Sequence, residues 1–320
     1  MSEKVLILGG SYFVGKKIVE YLAEQGYEVT VLNRGTKPVS AKNVTQLCCD
    51  RNDAEGMKAV LSGRAFDYVI DVSWQDVPWV KHLCDALDFE QVKKLVFISS
   101  SAVYDVEHLQ IPFKEEDTLA ENKYWTFYGQ GKIDAERYYE EFLRSKATNL
   151  VILRPPYIYG EYNYAQRESL IFRQLIEEKP VVIPKSNPRL QFIYTEDLAV
   201  IIECLLKKDT GKEHVYNVGN RKAVTSKEWV EACAVAAEKK ADIMEIDYAE
   251  LDKNVRDFYP FFDYDNVLDV SKINQIINME TDFEEGLRKS YQWFLENREN
   301  IVFKANVDKT LYEIIAELSV

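Results

Sequence analysis

The chain has 320 residues, of which 53 are acidic and 40 basic, for a formal net charge of −13. Nucleic-acid binding needs a basic face, so this balance argues against a nucleic-acid partner and leaves room only for a small anion held by local donors. At 47% hydrophobic and 29% charged residues, the composition is that of a globular protein able to bury a core without disulfides or metal. Five cysteines (Cys48, Cys49, Cys84, Cys204 and Cys233) follow no metal-knuckle spacing, and the scattered, odd set suits a reducing compartment. The N-terminal stretch reaches glycine too soon for a secretory leader, and no apolar run has membrane length. The expectation is a cytoplasmic protein with no membrane partner.

Val5-Leu6-Ile7-Leu8 reads as a buried strand, and Gly9 to Gly15 as a turn. Val14, Ile18 and Leu22 then recur at helical spacing until Gly26. Further strands are expected at 29–32, about 44–49, 68–70, 95–98 and 150–153, with helices near 78–88 and 126–145. Strands alternating with helices predict an α/β fold, a doubly wound parallel sheet covered on both faces. Ligands bind such sheets at the carboxyl ends of the strands. Residues 155–165, rich in Pro, Gly and Tyr, predict an aromatic loop. Short strands follow near 181–183, 192–194 and 214–218, and helices near 196–207, 226–238, 283–297 and 308–318.

The turn Gly9-Gly10-Ser11-Tyr12-Phe13-Val14-Gly15 lies between the first strand and the first helix. Glycines there permit close approach of a pyrophosphate to the free N–H groups and partial positive charge of a helix N-terminus. The second strand ends in Asn33-Arg34, where an acidic residue would hold an adenosine ribose. Arg34 is either a partner for a ribose 2′-phosphate, which tilts the cofactor from NAD toward NADP, or a solvated loop cation. Asp50 is either an acceptor for the adenine amino group or a turn residue. Ser99-Ser100-Ser101 ends the strand at 95–98 and offers a hydroxyl to a substrate oxygen. Tyr128 and Lys132 are four apart on one helical face, where an ammonium lowers a phenol's pKa and fits it for proton transfer.

In this order the motifs resemble the short-chain dehydrogenase/reductase superfamily, in its extended branch of NAD-dependent epimerases and dehydratases. The segments that carry the likeness are Gly9 to Gly15, Ser99 to Tyr104, Tyr128 to Lys132, Arg154 to Gly160, Tyr194 to Ala199 and Tyr216 to Gly219, with Asp282 to Leu287 in the tail. The resemblance implies that Tyr128 is the catalytic acid/base, Lys132 its cofactor-binding partner, and Ser100, with Ser101 as the alternative, the catalytic hydroxyl. It implies cofactor contacts from Gly9, Ser11, Tyr12, Phe13, Val14, Gly15, Asn33, Arg34, Asp50 and Pro155, with Pro156 beside it. It also implies a homodimer through the Tyr/Lys helix.

Three departures from the branch narrow the reading. Tyr12 replaces the middle glycine, which places the chain with the atypical glycine-turn members. Ser101-Ala102 stands where dehydratase members carry Asp-Glu, so water elimination is not expected. Leu190 stands where nucleotide-sugar members often carry arginine, with Arg189 one step off. The expected organisation is a dinucleotide-binding domain of residues 1–160, rejoined by 190–219, with a substrate lobe of 161–189 and 220–320. The expected function is NAD(P)-dependent epimerisation or oxidoreduction at a secondary alcohol or ketone carbon of a small sugar-like or nucleotide-sugar substrate. The alternative is a non-catalytic NADP(H)-binding regulator.

His82, His108 and His214 lack convergent ligands and read as structural. The cluster Tyr157, Tyr159, Tyr162 and Tyr164, like Trp74 and Trp79, reads equally as pocket lining or as packing. The acidic runs Glu115-Glu116-Asp117 and Glu177-Glu178 read as solvated faces.

Overall fold

The computed structural model describes residues 2–39, 41–72, 76–163 and 165–318. The first half runs β1 (Lys4–Leu8), α1 (Phe13–Glu24), β2 (Glu28–Asn33), β3 (Val44–Cys48), α2 (Ala54–Leu61), β4 (Tyr68–Asp71), α3 (Val77–Ala86), β5 (Lys94–Ile98), α4 (Thr126–Leu143) and β6 (Asn149–Arg154). There follow β7 (Tyr157–Tyr159), α5 (Glu168–Ile176), β8 (Val181–Pro184), β9 (Arg189–Leu190), β10 (Phe192–Tyr194), α6 (Thr195–Lys207) and β11 (Glu213–Asn217). The tail holds β12 (Val224–Thr225), α7 (Ser226–Ala236), β13 (Ile243–Ile246), α8 (Ser271–Asn274), α9 (Phe283–Asn297) and α10 (Ala305–Leu318). Two compact units emerge, 1–156 with 195–219 and 268–279, and 157–194 with 220–267 and 280–320.

The first unit carries a seven-stranded sheet, all parallel, in the order β11-β6-β5-β4-β1-β2-β3. This is the doubly wound α/β arrangement. Its inner strands β1, β4, β5 and β6 are apolar on both faces because helices cover both, while the edge strand β3 is partly exposed. Leu6, Leu8, Leu95, Phe97 and Ile152 join the side chains of α2, α3 and α4 in one core. Val5 and Ile7 are fully buried on the opposite face. The winding reverses at β1 and β4, and a crevice for a ligand opens at such a point. Residues 268–279 return to this unit, unlike the expected boundary, because α8 packs beside β11 and Lys272 Nζ donates to the Val215 carbonyl at 2.6 Å.

The second unit departs from the expected aromatic loop at 155–165. Tyr157–Tyr159 is a strand, paired in parallel with Phe192–Tyr194. A three-residue strand directly after two prolines gives no periodicity to read. Tyr157 and Tyr159 are 2% and 0% exposed, so they pack rather than line a pocket. Phe192 stacks on Trp229 at 3.9 Å, and Phe261 and Phe283 close around them. Gly286 lets α9 approach, since a Cβ there would meet the Tyr159 hydroxyl at 2.5 Å. Tyr162 sits edge-on to Trp293, while Trp74 and Tyr164 lie outside the described residues.

Helix α4 places the chemistry. Lys132, Glu136 and Tyr139 recur at i, i+4 and i+7 on its buried face. Gly129 on the same helix passes the turn after β5, where a Cβ would come within 2.5 Å of the Ala102 carbonyl oxygen. Gly129→Ala gains about 1 kcal/mol of helix propensity. It also forces a clash with backbone, and overpacking of that kind costs about 1–3 kcal/mol. Because the 2.5 Å contact is with backbone, the upper part of that range applies, about 2–3 kcal/mol, so the expected outcome is a net loss of about 1–2 kcal/mol, read as a lower urea midpoint; an unchanged or raised midpoint would refute this packing account.

Candidate functional site

The turn after β1 is built for close approach. Gly9 has φ of +95°, and a Cβ on Gly15 would stand 1.9 Å from the Gly9 carbonyl oxygen. Tyr12 is the extended N-cap residue of α1 and makes no side-chain cap, so the helix's first N–H groups keep their capacity for an anion. The Tyr12 ring does not fill the turn. It is 47% exposed and carries the Lys37 ammonium 4.0 Å from its centre. Beside the turn opens a cavity of about 510 Å³, lined by Gly9, Ser11, Tyr12, Leu32, Asn33, Arg34, Thr36, Cys49, Asp50, Arg51 and Trp79. Glycine cradle, uncapped helix end and cavity together fit the pyrophosphate and adenosine of a dinucleotide.

Six of the residues assigned to the cofactor from sequence line this cavity: Gly9, Ser11, Tyr12, Asn33, Arg34 and Asp50. Phe13, Val14 and Gly15 begin α1 behind it. Asn33 spends its amide on the loops: Nδ2 donates to Ser11 Oγ at 2.6 Å, and Oδ1 accepts from Gly35 N and Gln46 Nε2, both at 2.8 Å. Asp50 is exposed and its Oδ1 accepts from the Asn52 backbone at 2.9 Å, so it forms a turn as well as a wall. Arg34 is exposed. Leu32, Thr36, Cys49 and Arg51 complete the wall and were not assigned from sequence, and Trp79, which reads from sequence equally as lining or packing, lines it. The Trp79 Nε1 donates to Asn52 Oδ1 at 2.7 Å, which helps to place its ring.

The second group sits at the ends of β5 and β6 and on α4. Of the three serines, Ser99 is buried and donates to Glu136 Oε1. Ser101 is 2% exposed. Ser100 alone is half-exposed, and its Oγ accepts from Ala102 N at 3.2 Å, which orients it. Tyr128 opens α4 half-buried, its ring 5.8 Å from that of Trp125. Lys132 is 3% exposed; its Nζ donates to the Ile98 carbonyl at 2.7 Å and lies 5.9 Å from the centre of the Tyr128 ring. Burial pushes the Lys132 ammonium down to about 7, against the pull of the Asp71 and Glu136 carboxylates, with Arg51 lowering it further. Pro155 is buried, and its carbonyl accepts from Ser101 N at 2.9 Å, tying β6 to the serine turn.

Two buried ion pairs beneath this group escaped the sequence reading. Arg154 grips Glu136 through Nε at 3.1 Å and Nη2 at 2.6 Å, and its Nη1 donates to Tyr104 OH at 3.1 Å. Tyr104 in turn donates to Asn217 Oδ1 at 2.7 Å. Arg51 grips Asp71 through Nη1 at 2.7 Å and Nη2 at 3.0 Å, and Tyr139 OH donates to the same carboxylate at 2.7 Å. The available signal was a charged residue closing an apolar strand, in Arg154 and in Asp71. Glu115 is half-buried and its Oε1 accepts from Asn217 N at 3.0 Å, so that acidic run is not wholly a solvated face.

His82 meets the Arg51 carbonyl, and His108 pairs with Asp105, which raises its pKa. Among the described residues no group of three or more His, Cys, Asp or Glu is placed to hold a metal ion. Among the same residues no helix is long and apolar enough to cross a membrane.

Comparison with known proteins agrees with this geometry. The model of the NAD dependent epimerase/dehydratase family matches residues 5–219. The chain is 27% identical over 307 residues to a chloroplast stem-loop binding protein of 41 kDa from Arabidopsis thaliana, covering 90% of this chain and 78% of the relative. Among solved structures it resembles a UDP-N-acetylglucosamine 4-epimerase from Methanobrevibacter ruminantium, with a TM-score of 0.76 at 22% identity, covering 93% of this chain and 100% of that one. It resembles equally a dTDP-glucose 4,6-dehydratase from Bacillus anthracis in complex with NAD, with a TM-score of 0.76 at 20% identity, covering 93% and 98%. Turn, cavity, serine-tipped strand and Tyr/Lys helix thus stand in a fold shared with these enzymes, and the chain belongs to the NAD dependent epimerase/dehydratase family.

Proposed function

We propose that the chain is an NAD(P)-dependent epimerase or oxidoreductase acting at a secondary alcohol or ketone carbon of a sugar-like substrate. The observation that carries this is the buried Lys132 ammonium beside the Tyr128 ring, on the helix that packs against the serine turn. A bound nicotinamide supplies the hydride donor or acceptor. Tyr128 moves the proton of the substrate hydroxyl. Ser100 Oγ, the accessible hydroxyl at the strand end, donates to the substrate oxygen. Lys132 donates to the ribose hydroxyls, and its charge favours the Tyr128 phenolate. A carbonyl that turns over before it is reduced again gives inversion; one that leaves gives oxidoreduction.

Two details refine the reading. Arg34 and Lys37 sit where β2 ends without an acid, which favours a 2′-phosphate and hence NADP. Arg189 is spent on Asp265, with Nη2 at 2.7 Å and Nε at 3.1 Å, and Leu190 is buried. This weakens the case for a nucleotide sugar, the substrate type named for several relatives. The stem-loop-binding relative motivates a non-catalytic reading, which the complete Ser100, Tyr128 and Lys132 set and the charge of −13 oppose.

Tyr128→Phe is expected to lower turnover of ketone and sugar substrates with NADPH by about 10²–10⁴-fold. Its NADPH affinity should stay near that of the parent, and a variant with normal turnover refutes the assignment. Arg34→Ala is expected to cut the preference for NADP over NAD by about tenfold, the weight of one charge-assisted contact. Dissociation constants for both cofactors check this, and an unchanged ratio removes Arg34 from the site.

A further inference from the structure

Lys132 is taken out of water, and a lysine so placed tends to lose its proton. A neutral amine cannot favour the Tyr128 phenolate. The assignment of Lys132 above, on which this inference rests, therefore needs a source of negative charge that solvent does not screen.

The groups that face Lys132 can be taken element by element. From its own helix come Tyr128, Glu136 and Tyr139. From β5 come the Ile98 carbonyl and the Phe97 ring, whose centre is 5.0 Å from Nζ. From the loop after β3 comes Arg51, and from the end of β4 comes Asp71. Of the two carboxylates, Glu136 accepts two hydrogen bonds from Arg154 and one from Ser99. Asp71 is fully buried and stands in register with Phe97 on the neighbouring strand. The Phe97 ring also lies 5.3 Å from that of Tyr139, which donates to Asp71. Phe97 thus borders both the ammonium and the ring bonded to Asp71, and Phe97 and Tyr139 belong to one buried apolar cluster.

We propose that Asp71 is a positioning residue for the reaction: together with Glu136 it supplies the counter-charge that keeps Lys132 protonated, and Arg51 and Tyr139 hold its carboxylate in place. Both carboxylates raise the Lys132 pKa against the effect of burial, and Arg51 lowers it. Arg51 has a second face. It lines the cofactor cavity and its Nη2 also donates to the Trp79 carbonyl at 3.2 Å, so the wall of the cavity and the support of Asp71 are one side chain.

The test reads NADPH affinity against pH, from about 6 to 9.5, across the ordinary range of a shifted lysine. In the parent, affinity falls as Lys132 loses its proton. Lys132→Arg, which stays charged, should abolish that fall. Asp71→Asn should move the fall to lower pH by about one unit or more, the usual effect of one close opposite charge. Asp71→Glu should restore much of the parent profile. If Asp71→Asn does not fold, the triple replacement Arg51→Met, Asp71→Leu and Tyr139→Phe removes the cluster without leaving a buried charge alone. It should shift the fall in the same direction by less. A fall that persists in Lys132→Arg overturns the assignment of Lys132 itself. A fall that Lys132→Arg abolishes but that stays in place in the folded Asp71 variants overturns the role of Asp71 alone.

Discussion

An ammonium that water cannot reach must find its stabilisation in the protein, and much of the first unit is arranged around that need. The Ile98 carbonyl gives Lys132 one acceptor. The charge itself is answered by carboxylates on β4 and α4, each gripped by an arginine from a different segment. A buried pair of this kind rarely adds stability over an apolar substitute. Its presence twice, with both carboxylates acting on one lysine, makes sense as control of that lysine's charge. The inner face of α4 is accordingly polar where a packing helix would be apolar, and all three of its buried polar side chains have partners.

The same constraint explains how the serines divide the work. Three consecutive hydroxyls end β5. Ser99 is drawn inward to Glu136 and Ser101 is buried in the following turn, while Ser100 keeps an accessible hydroxyl oriented by a backbone N–H. Alternation along an extended strand produces this without special geometry. Ser99 ties the strand end next to Ser100, the proposed catalytic hydroxyl, to the Glu136–Arg154 pair.

The elements legible in the sequence are those with a period. β1, β4, β5 and β6 are built on unbroken apolar runs, β2 on one broken only by Thr30, and α1 and α4 carry helical spacing, so the sheet and the placing of Gly9, Ser100, Tyr128 and Lys132 follow from pattern. What stayed hidden has no period. Tyr157–Tyr159 is too short to show alternation and pairs with a strand more than thirty residues on, at Phe192–Tyr194. The return of 268–279 to the first unit depends on α8, a single turn. The partners Arg51 and Asp71 are twenty residues apart, and only parallel register brings the ends of β3 and β4 to one edge. Charged residues at strand ends were visible, but nothing local says which pairs with which.

Asn33 has a consequence of its own. Its amide joins the turn after β1 through Ser11, the loop after β2 through Gly35, and β3 through Gln46. Three separate stretches of chain are held by one side chain. Ordering loops around a ligand usually consumes part of the binding free energy. Here that ordering belongs to folding, so a dinucleotide would meet a rigid mouth. Association should then follow the rate of encounter rather than of loop closure, and discrimination between cofactors should reside in the few exposed groups at the rim.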